Sequence, residues 1–155
     1  MKFKTFILAM ACASSLAPQA AFAEDDNVLA YVRILGDTFE LQIQAIEYVL
    51  AEGGVYTSNA VRHSMDILST ADMLNYVVGK EMSKPERAVD MDKWPWSTRE
   101  EFVKLSEANW QAAKDLVGIT ENWVATGNNA GVAEGVQHLR RTCEACHSGD
   151  NSLNK

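Results

Sequence analysis

Residues 130–147 read AGVAEGVQHLRRTCEACH, and the spacing of their apolar side chains predicts an amphipathic helix. The apolar positions recur at intervals of three and four residues, which places them on one face of an α-helix. These positions are Val132, Val136, Leu139, Cys143 and Cys146. The face expected to be buried therefore ends on two cysteines.

Three earlier segments have the same spacing and predict three more helices. The first is predicted from about Asn27 to Glu52, before Gly53-Gly54, and the second from about Ser58 to Val78. The third should begin at the capping-box pattern Ser97-Thr98-Arg99-Glu100 and end before Gly127. Four amphipathic helices with short first and third connections predict an all-α, antiparallel four-helix bundle.

Each of these helices has a predicted core face. In the first it comprises Val32, Leu35, Phe39, Gln42, Ile46 and Val49. In the second it comprises Ala60, Ser64, Ile67, Ala71, Leu74 and Val78, widened by Met65 and Leu68. In the third it comprises Phe102, Leu105, Asn109, Ala112, Leu116, Ile119 and Trp123.

The N-terminal residues 1–23 are predicted to be a secretory signal peptide. Lys2 and Lys4 precede an apolar run from Phe6 to Leu16, and Ala21-Phe22-Ala23 forms a small-x-small cleavage site. The apolar run is shorter than the roughly 20 residues that span a bilayer. Residues 24–155 are then one exported domain, expected in the periplasm without a membrane anchor.

The mature chain is predicted to be acidic. Removing Lys2 and Lys4 leaves 12 basic against 21 acidic residues, a net charge of −9. An acidic surface repels nucleic acid and anionic lipid head groups, so we expect no nucleic-acid partner.

The last five residues of the quoted stretch, Cys143-Glu144-Ala145-Cys146-His147, match the Cys-x-x-Cys-His pattern of c-type haem attachment. Residues three and four apart share a helix face, so both cysteines can reach the two vinyl groups of one porphyrin. From the same side, His147 can place a ring nitrogen on the iron. The sequence predicts one covalent haem c per chain, with Cys143 and Cys146 as attachment residues and His147 as axial ligand.

Two other uses of the cysteine pair were weighed. A redox dithiol usually occurs in a βαβ context, which the sequence lacks. A zinc site would need further ligands, but the mature chain has no second cysteine pair, and His63 and His138 lie in separate stretches.

The mature chain resembles the cytochrome c′ family, the class II c-type cytochromes. The resemblance rests on four helices, Cys-x-x-Cys-His at the C-terminus, and a Pro-Trp element before the third helix, Trp94-Pro95-Trp96-Ser97. It implies a left-handed bundle with the haem between the helices near one end, a periplasmic location and a homodimer.

The chain departs from the family pattern at two places. The family continues its last helix past the histidine with an aromatic and a basic residue, whereas this chain has Ser148-Gly149-Asp150-Asn151. In low-spin relatives the first helix supplies a methionine as sixth iron ligand, but residues 27–52 contain no Met and no His. By resemblance, Leu35 and Phe39 form the wall on the distal side of the haem.

These observations predict a five-coordinate haem that binds small diatomic gases such as nitric oxide. The alternative is a low-spin cytochrome that transfers electrons to a redox protein, with Met65 or Met73 as sixth ligand rather than core filler. No distal acid–base residue is evident on the first helix, so no catalytic residue is assigned and the protein is predicted not to be an enzyme.

Several polar residues near these faces leave more than one interpretation open. Gln42 and Asn109 could pair with each other or with water, or face the haem edge or a bound gas. Arg33, Arg140 and Arg141 could be solvated or could pair with a haem propionate.

Overall fold

A computed structural model describes residues 24–77, 79 and 98–148 of the 155-residue chain. The predicted signal peptide, the Trp94-Pro95-Trp96-Ser97 element and residues 149–155 lie outside this range. The described residues form four helices: α1 (Glu24–Ala51), α2 (Thr57–Tyr76), α3 (Arg99–Thr126) and α4 (Val132–Ser148).

Contacts between α1 and α2 show that these helices run in opposite directions. Gln42 Oε1 lies 2.6 Å from His63 Nδ1, and the Tyr31 hydroxyl donates to Met73 Sδ at 3.5 Å. Residue numbers therefore fall along α1 as they rise along α2. Gly53 and Gly54 connect the two helices with positive φ angles of 68° and 90°, a backbone region that favours glycine.

The α2–α3 pair is also antiparallel and contains a polar contact in the core. The hydroxyls of Ser64 and Thr120 are 2.8 Å apart and both residues are buried. Further along, Trp110 Nε1 donates to Asp72 Oδ1, which fixes the level of the C-terminal half of α2 against α3.

The α3–α4 pair completes the antiparallel order. At one level Asn109 Nδ2 donates to Thr142 Oγ1 at 3.0 Å. At another level Gly135 lies so close to α3 that a Cβ there would be 2.9 Å from Ile119 Cδ1 and 3.2 Å from Leu116 Cδ1. The predicted all-α, antiparallel four-helix bundle is confirmed.

The buried residues follow the predicted faces closely. On α1 the core includes Leu35, Phe39, Ile46 and Val49, together with Ile43, which the pattern had not included. Among the other predicted positions, those fully buried are Ala60, Ser64, Ile67, Ala71, Phe102, Leu105, Asn109, Ala112, Leu116, Trp123, Val132, Val136 and Leu139. Met65 was predicted to widen the α2 face, and this is wrong, because its side chain is exposed.

The start of α3 also differs from the prediction by one residue. The helix begins at Arg99, and Thr98 is its N-cap, with an extended backbone and an Oγ1 that accepts from Glu101 N at 3.1 Å. Thr98-x-x-Glu101 fits the capping-box pattern as well as Ser97-x-x-Glu100 does, so the spacing alone did not discriminate between them. At the other end the helix stops at Thr126, before Gly127 as predicted, and Gly127 adopts the left-handed conformation.

None of the described helices is both long and apolar enough to cross a membrane.

Candidate functional site

The two cysteines of the motif lie in the last turns of α4, which ends at Ser148. Both side chains are half-buried, and no disulfide joins them. Cys143 faces α3, where Asn109 Nδ2 lies 3.4 Å from its Sγ. Cys146 is one turn further along the same face, so both sulfurs are directed toward one end of the bundle interior.

The surroundings of the two thiols keep them protonated near neutral pH. Burial raises the pKa of Cys146 to about 12, with a smaller contribution from Cys143. Burial also raises the pKa of Cys143, against the opposing hydrogen bond from Asn109. The C-terminal end of a helix carries partial negative charge and further disfavours a thiolate. A redox dithiol needs the opposite environment, so the structure argues against that use of the pair.

His147 is exposed in the last turn of α4, directly after Cys146. Its ring makes no hydrogen bond with the part of the chain that the structure describes. Because it is four residues after Cys143, it lies on the same side of the helix. The motif therefore presents two sulfurs and one imidazole from a single helix end, as covalent haem attachment with one axial ligand requires.

At this end of the bundle, α1 lies beside α4. The two helices are less closely packed than the other neighbouring pairs. Arg140 on α4 binds both Glu40 and Glu47 on α1. Arg140 is therefore level with about residue 43 of α1. Six or seven residues further along α4 lead to Cys146 and His147, and the same step back along α1 leads to about Gly36.

Gly36 leaves room at this level of the bundle. A Cβ built on Gly36 would meet no atom within 4 Å. Gly36 is four residues before Glu40 and so lies on the α1 stripe that faces α4. Gly36 thus has open space around it at about the level of Cys146 and His147, which would not obstruct the edge of a planar cofactor.

The two residues predicted for the distal wall, Leu35 and Phe39, flank Gly36 and are each only 4% exposed. Both side chains belong to the inner face of α1 at the level of the motif. They make this wall apolar and offer no atom that can coordinate iron.

The two methionines considered as sixth ligands lie on the outer surface. Met65 is 49% exposed, and Met73 is 40% exposed with its sulfur bound to the Tyr31 hydroxyl. Neither thioether reaches the interior next to the cysteines. Their prediction as core filler is also wrong, because both side chains are exposed on the outer flank of α2.

Most of the remaining polar candidates have partners within the protein. Gln42 pairs with His63, not with Asn109. His138 and Arg33 are exposed.

Asn109 is one of two buried amides at this end, and sequence reasoning identified only this one. Its Oδ1 is inaccessible and has no hydrogen-bond donor among the described residues, as is also true of Asn75 Oδ1 on α2. The signal for Asn75 was present in the sequence, since it follows Ala71 by one turn on the core-facing stripe. The described residues contain no group of three or more His, Cys, Asp or Glu side chains that could hold a metal ion.

Arg140 and its two carboxylates form an ionic clasp between α1 and α4. Arg140 Nη1 lies 2.9 Å from Glu40 Oε2, and its Nε and Nη2 each lie 2.9 Å from a Glu47 oxygen. These contacts raise the pKa of Arg140. Hydrogen bonds from Gln44 and Arg140 lower the pKa of Glu40. Arg140 is thus engaged by carboxylates of this chain rather than solvated.

Replacing Arg140 by methionine should lower the free energy of unfolding by about 1 kcal/mol, since it leaves two facing carboxylates unpaired in a half-exposed setting. The loss should shrink in 1 M NaCl, where screening is nearly complete. The pKa of Glu40 is lower in the folded protein than its ordinary value of about 4.5. The clasp therefore stabilises the protein at pH values above about 4.5, and this stabilisation is lost as the pH falls through the folded pKa.

Urea unfolding monitored by circular dichroism measures this effect. Arg141→Met, which changes an exposed neighbour, is the matched control and should stay within about 0.5 kcal/mol of the wild type. Equal effects for the two variants would show that the clasp does not stabilise the fold.

Comparisons with protein-family models, with curated proteins and with solved structures found no match for this chain.

Proposed function

We propose that this protein is a periplasmic c-type cytochrome with one covalently attached haem, and that its iron binds small diatomic gases such as nitric oxide. The observation that carries the proposal is the arrangement at the end of α4. There Cys143 and Cys146 face the bundle interior and His147 lies on the same side of the helix. Residues 1–23 are the proposed export signal.

The residues at this end are suited to hold the cofactor. Cys143 and Cys146 would hold it through thioether bonds, and His147 would be the axial ligand of the iron. Gly36 carries no side chain and has open space around it, so this part of α1 would not obstruct a flat ring edge. When bound, the haem supplies an iron centre that can take a gas ligand or exchange one electron.

The apolar α1 wall favours gas binding over electron transfer. Leu35 and Phe39 are buried and apolar, so they would keep water and anions away from the α1 side of a haem held by the motif. An uncharged diatomic molecule needs no hydrogen-bond partner to enter such a space. A wall of this kind therefore selects for small neutral ligands.

Electron transfer is the second candidate, favoured by the exposure of His147 at the end of the bundle. An exposed attachment site brings the cofactor edge near the protein surface, where a redox partner can approach. This function needs a strong sixth ligand for a low-spin iron. Met65 and Met73 are directed outward, so the described residues of α2 do not favour it.

The attachment of the haem can be tested by removing both sulfurs. Protein matured with haem-attachment machinery should retain its haem after acid–acetone extraction, and the Cys143→Ala/Cys146→Ala variant should lose it. Ser148→Ala, which changes the next exposed position, should behave as the wild type. Release of the haem from the wild type would refute covalent attachment.

The coordination of the iron can be tested by optical spectroscopy. The reduced protein should change its Soret band when carbon monoxide is added, because the sixth position carries no strong ligand. His147→Ala should alter the spectrum before any gas is added. A ferric charge-transfer band near about 695 nm, the position expected for His/Met ligation, would instead assign a methionine to the iron and make electron transfer the function.

We also propose that the protein is a homodimer formed through α1 and α2. A second apolar stripe on α1 is not used in the bundle core, and Ile34, Leu41 and Tyr48 follow one another at intervals of seven residues. Heptad spacing of this kind is typical of paired helices. The exposed apolar residues that accompany them on the two helices are Tyr31, Met65, Met73 and Tyr76.

Leu41→Glu should convert the dimer to a monomer, because it places a charge in the middle of the exposed stripe. Light scattering at micromolar concentration should report two chains for the wild type and one for the variant. Val124→Glu changes an exposed apolar residue on α3 and should leave the dimer intact. A wild-type mass of one chain would exclude the dimer.

A further inference from the structure

Two buried amide oxygens lie at the end of the bundle that carries the cysteines. The Oδ1 atoms of Asn75 on α2 and Asn109 on α3 are both inaccessible and receive no hydrogen bond from the described residues. Buried polar atoms are nearly always paired, and an unpaired buried acceptor destabilises the fold. Two such atoms at one end of the core point to a shared partner.

The orientation of the Asn109 amide is set by its neighbours. The Thr142 hydroxyl donates to Leu139 O, so Thr142 Oγ1 can only accept, and Asn109 Nδ2 donates to it at 3.0 Å. The same Nδ2 lies 3.4 Å from Cys143 Sγ. The amide nitrogen is therefore directed to α4, and Oδ1 is the atom that remains to be satisfied.

The two asparagines are close in level along the bundle. The contact between Asp72 and Trp110 fixes the register of α2 against α3. Asn75 is three residues past Asp72 and Asn109 is one residue before Trp110, which leaves them about 3 Å apart along the axis at a rise of 1.5 Å per residue. Their helices, α2 and α3, are neighbours in the bundle and antiparallel.

We propose that Asn75 and Asn109 form one polar subsite that holds a single small, uncharged hydrogen-bond donor, namely a water molecule shared between the two Oδ1 atoms. Water has two O–H groups, and the subsite offers two acceptors. Buried waters with two to four polar partners are a regular part of protein interiors. Ionised haem propionates are acceptors and cannot satisfy these oxygens, and nitric oxide and carbon monoxide have no donor to offer.

The subsite gives the attachment end of the core a polar side opposite the apolar wall of Leu35 and Phe39. Through Asn109 it connects directly to Cys143, because one amide contacts the sulfur with its nitrogen and the water with its oxygen. This pairing requires the folded bundle but not the haem, so it can hold or fail separately from the proposed function. Haem content, measured from the pyridine haemochrome spectrum of the same sample, tests that function independently.

A crystal structure of the mature protein at about 1.5 Å resolution should show one water within hydrogen-bond distance of both oxygens. The proposal is overturned if each oxygen has its own separate partner, or if a protein donor such as the indole N–H of Trp94 or Trp96 occupies the position.

A double-mutant cycle with Asn75→Leu and Asn109→Leu gives the second readout. Each single change should raise the equilibrium constant for unfolding, because the water loses one acceptor while the other amide stays buried. If the two single-variant increases in the equilibrium constant are multiplied, the product should exceed the increase in the double variant by at least about fivefold. This coupling is expected for residues that share a partner. Asn122→Leu at an exposed position of α3 should show no coupling with either. A product of the two single-variant factors that agrees within about twofold with the double-variant factor would show that Asn75 and Asn109 do not share a ligand.

Discussion

The seam between α1 and α4 is the constraint on which the functional end of this bundle depends. The other three seams are closed by packed side chains, with Gly135 bringing α4 especially close to α3. The α1–α4 seam is instead held by Arg140 between Glu40 and Glu47. This ionic contact lies one turn before Cys143 and keeps the two helices aligned. Beyond it, at about the level of the motif, Gly36 has open space around it.

The two sides of that space differ in chemistry. Leu35 and Phe39 make the α1 side apolar, whereas Asn109 brings an amide to the Cys143 sulfur from α3. Burial holds the thiols in their protonated form, and their place near the negative end of α4 has the same effect. This environment disfavours the thiolate that disulfide exchange requires.

Much of this could be predicted from the sequence, because helical spacing reports which residues share a face. It placed Leu35, Phe39 and both cysteines on inner faces, and the fold followed from four such faces. Spacing could not decide the flank positions, since Met65 lies next to the α2 core stripe but is directed outward. Nor could it give partners between helices: the pairs Gln42–His63 and Asn109–Thr142 depend on the register of neighbouring helices, which tertiary packing determines.

Whether Cys143 and Cys146 carry a covalent haem can be read from the mass of the denatured protein purified from the periplasm. Denaturation removes any cofactor held only by packing or by His147, whereas thioether bonds survive it. Covalent attachment and signal cleavage predict a chain that begins at Glu24 and whose mass exceeds that of the polypeptide by one haem. A chain with the mass of the polypeptide alone, with its cysteines as thiols or as a disulfide, would contradict it.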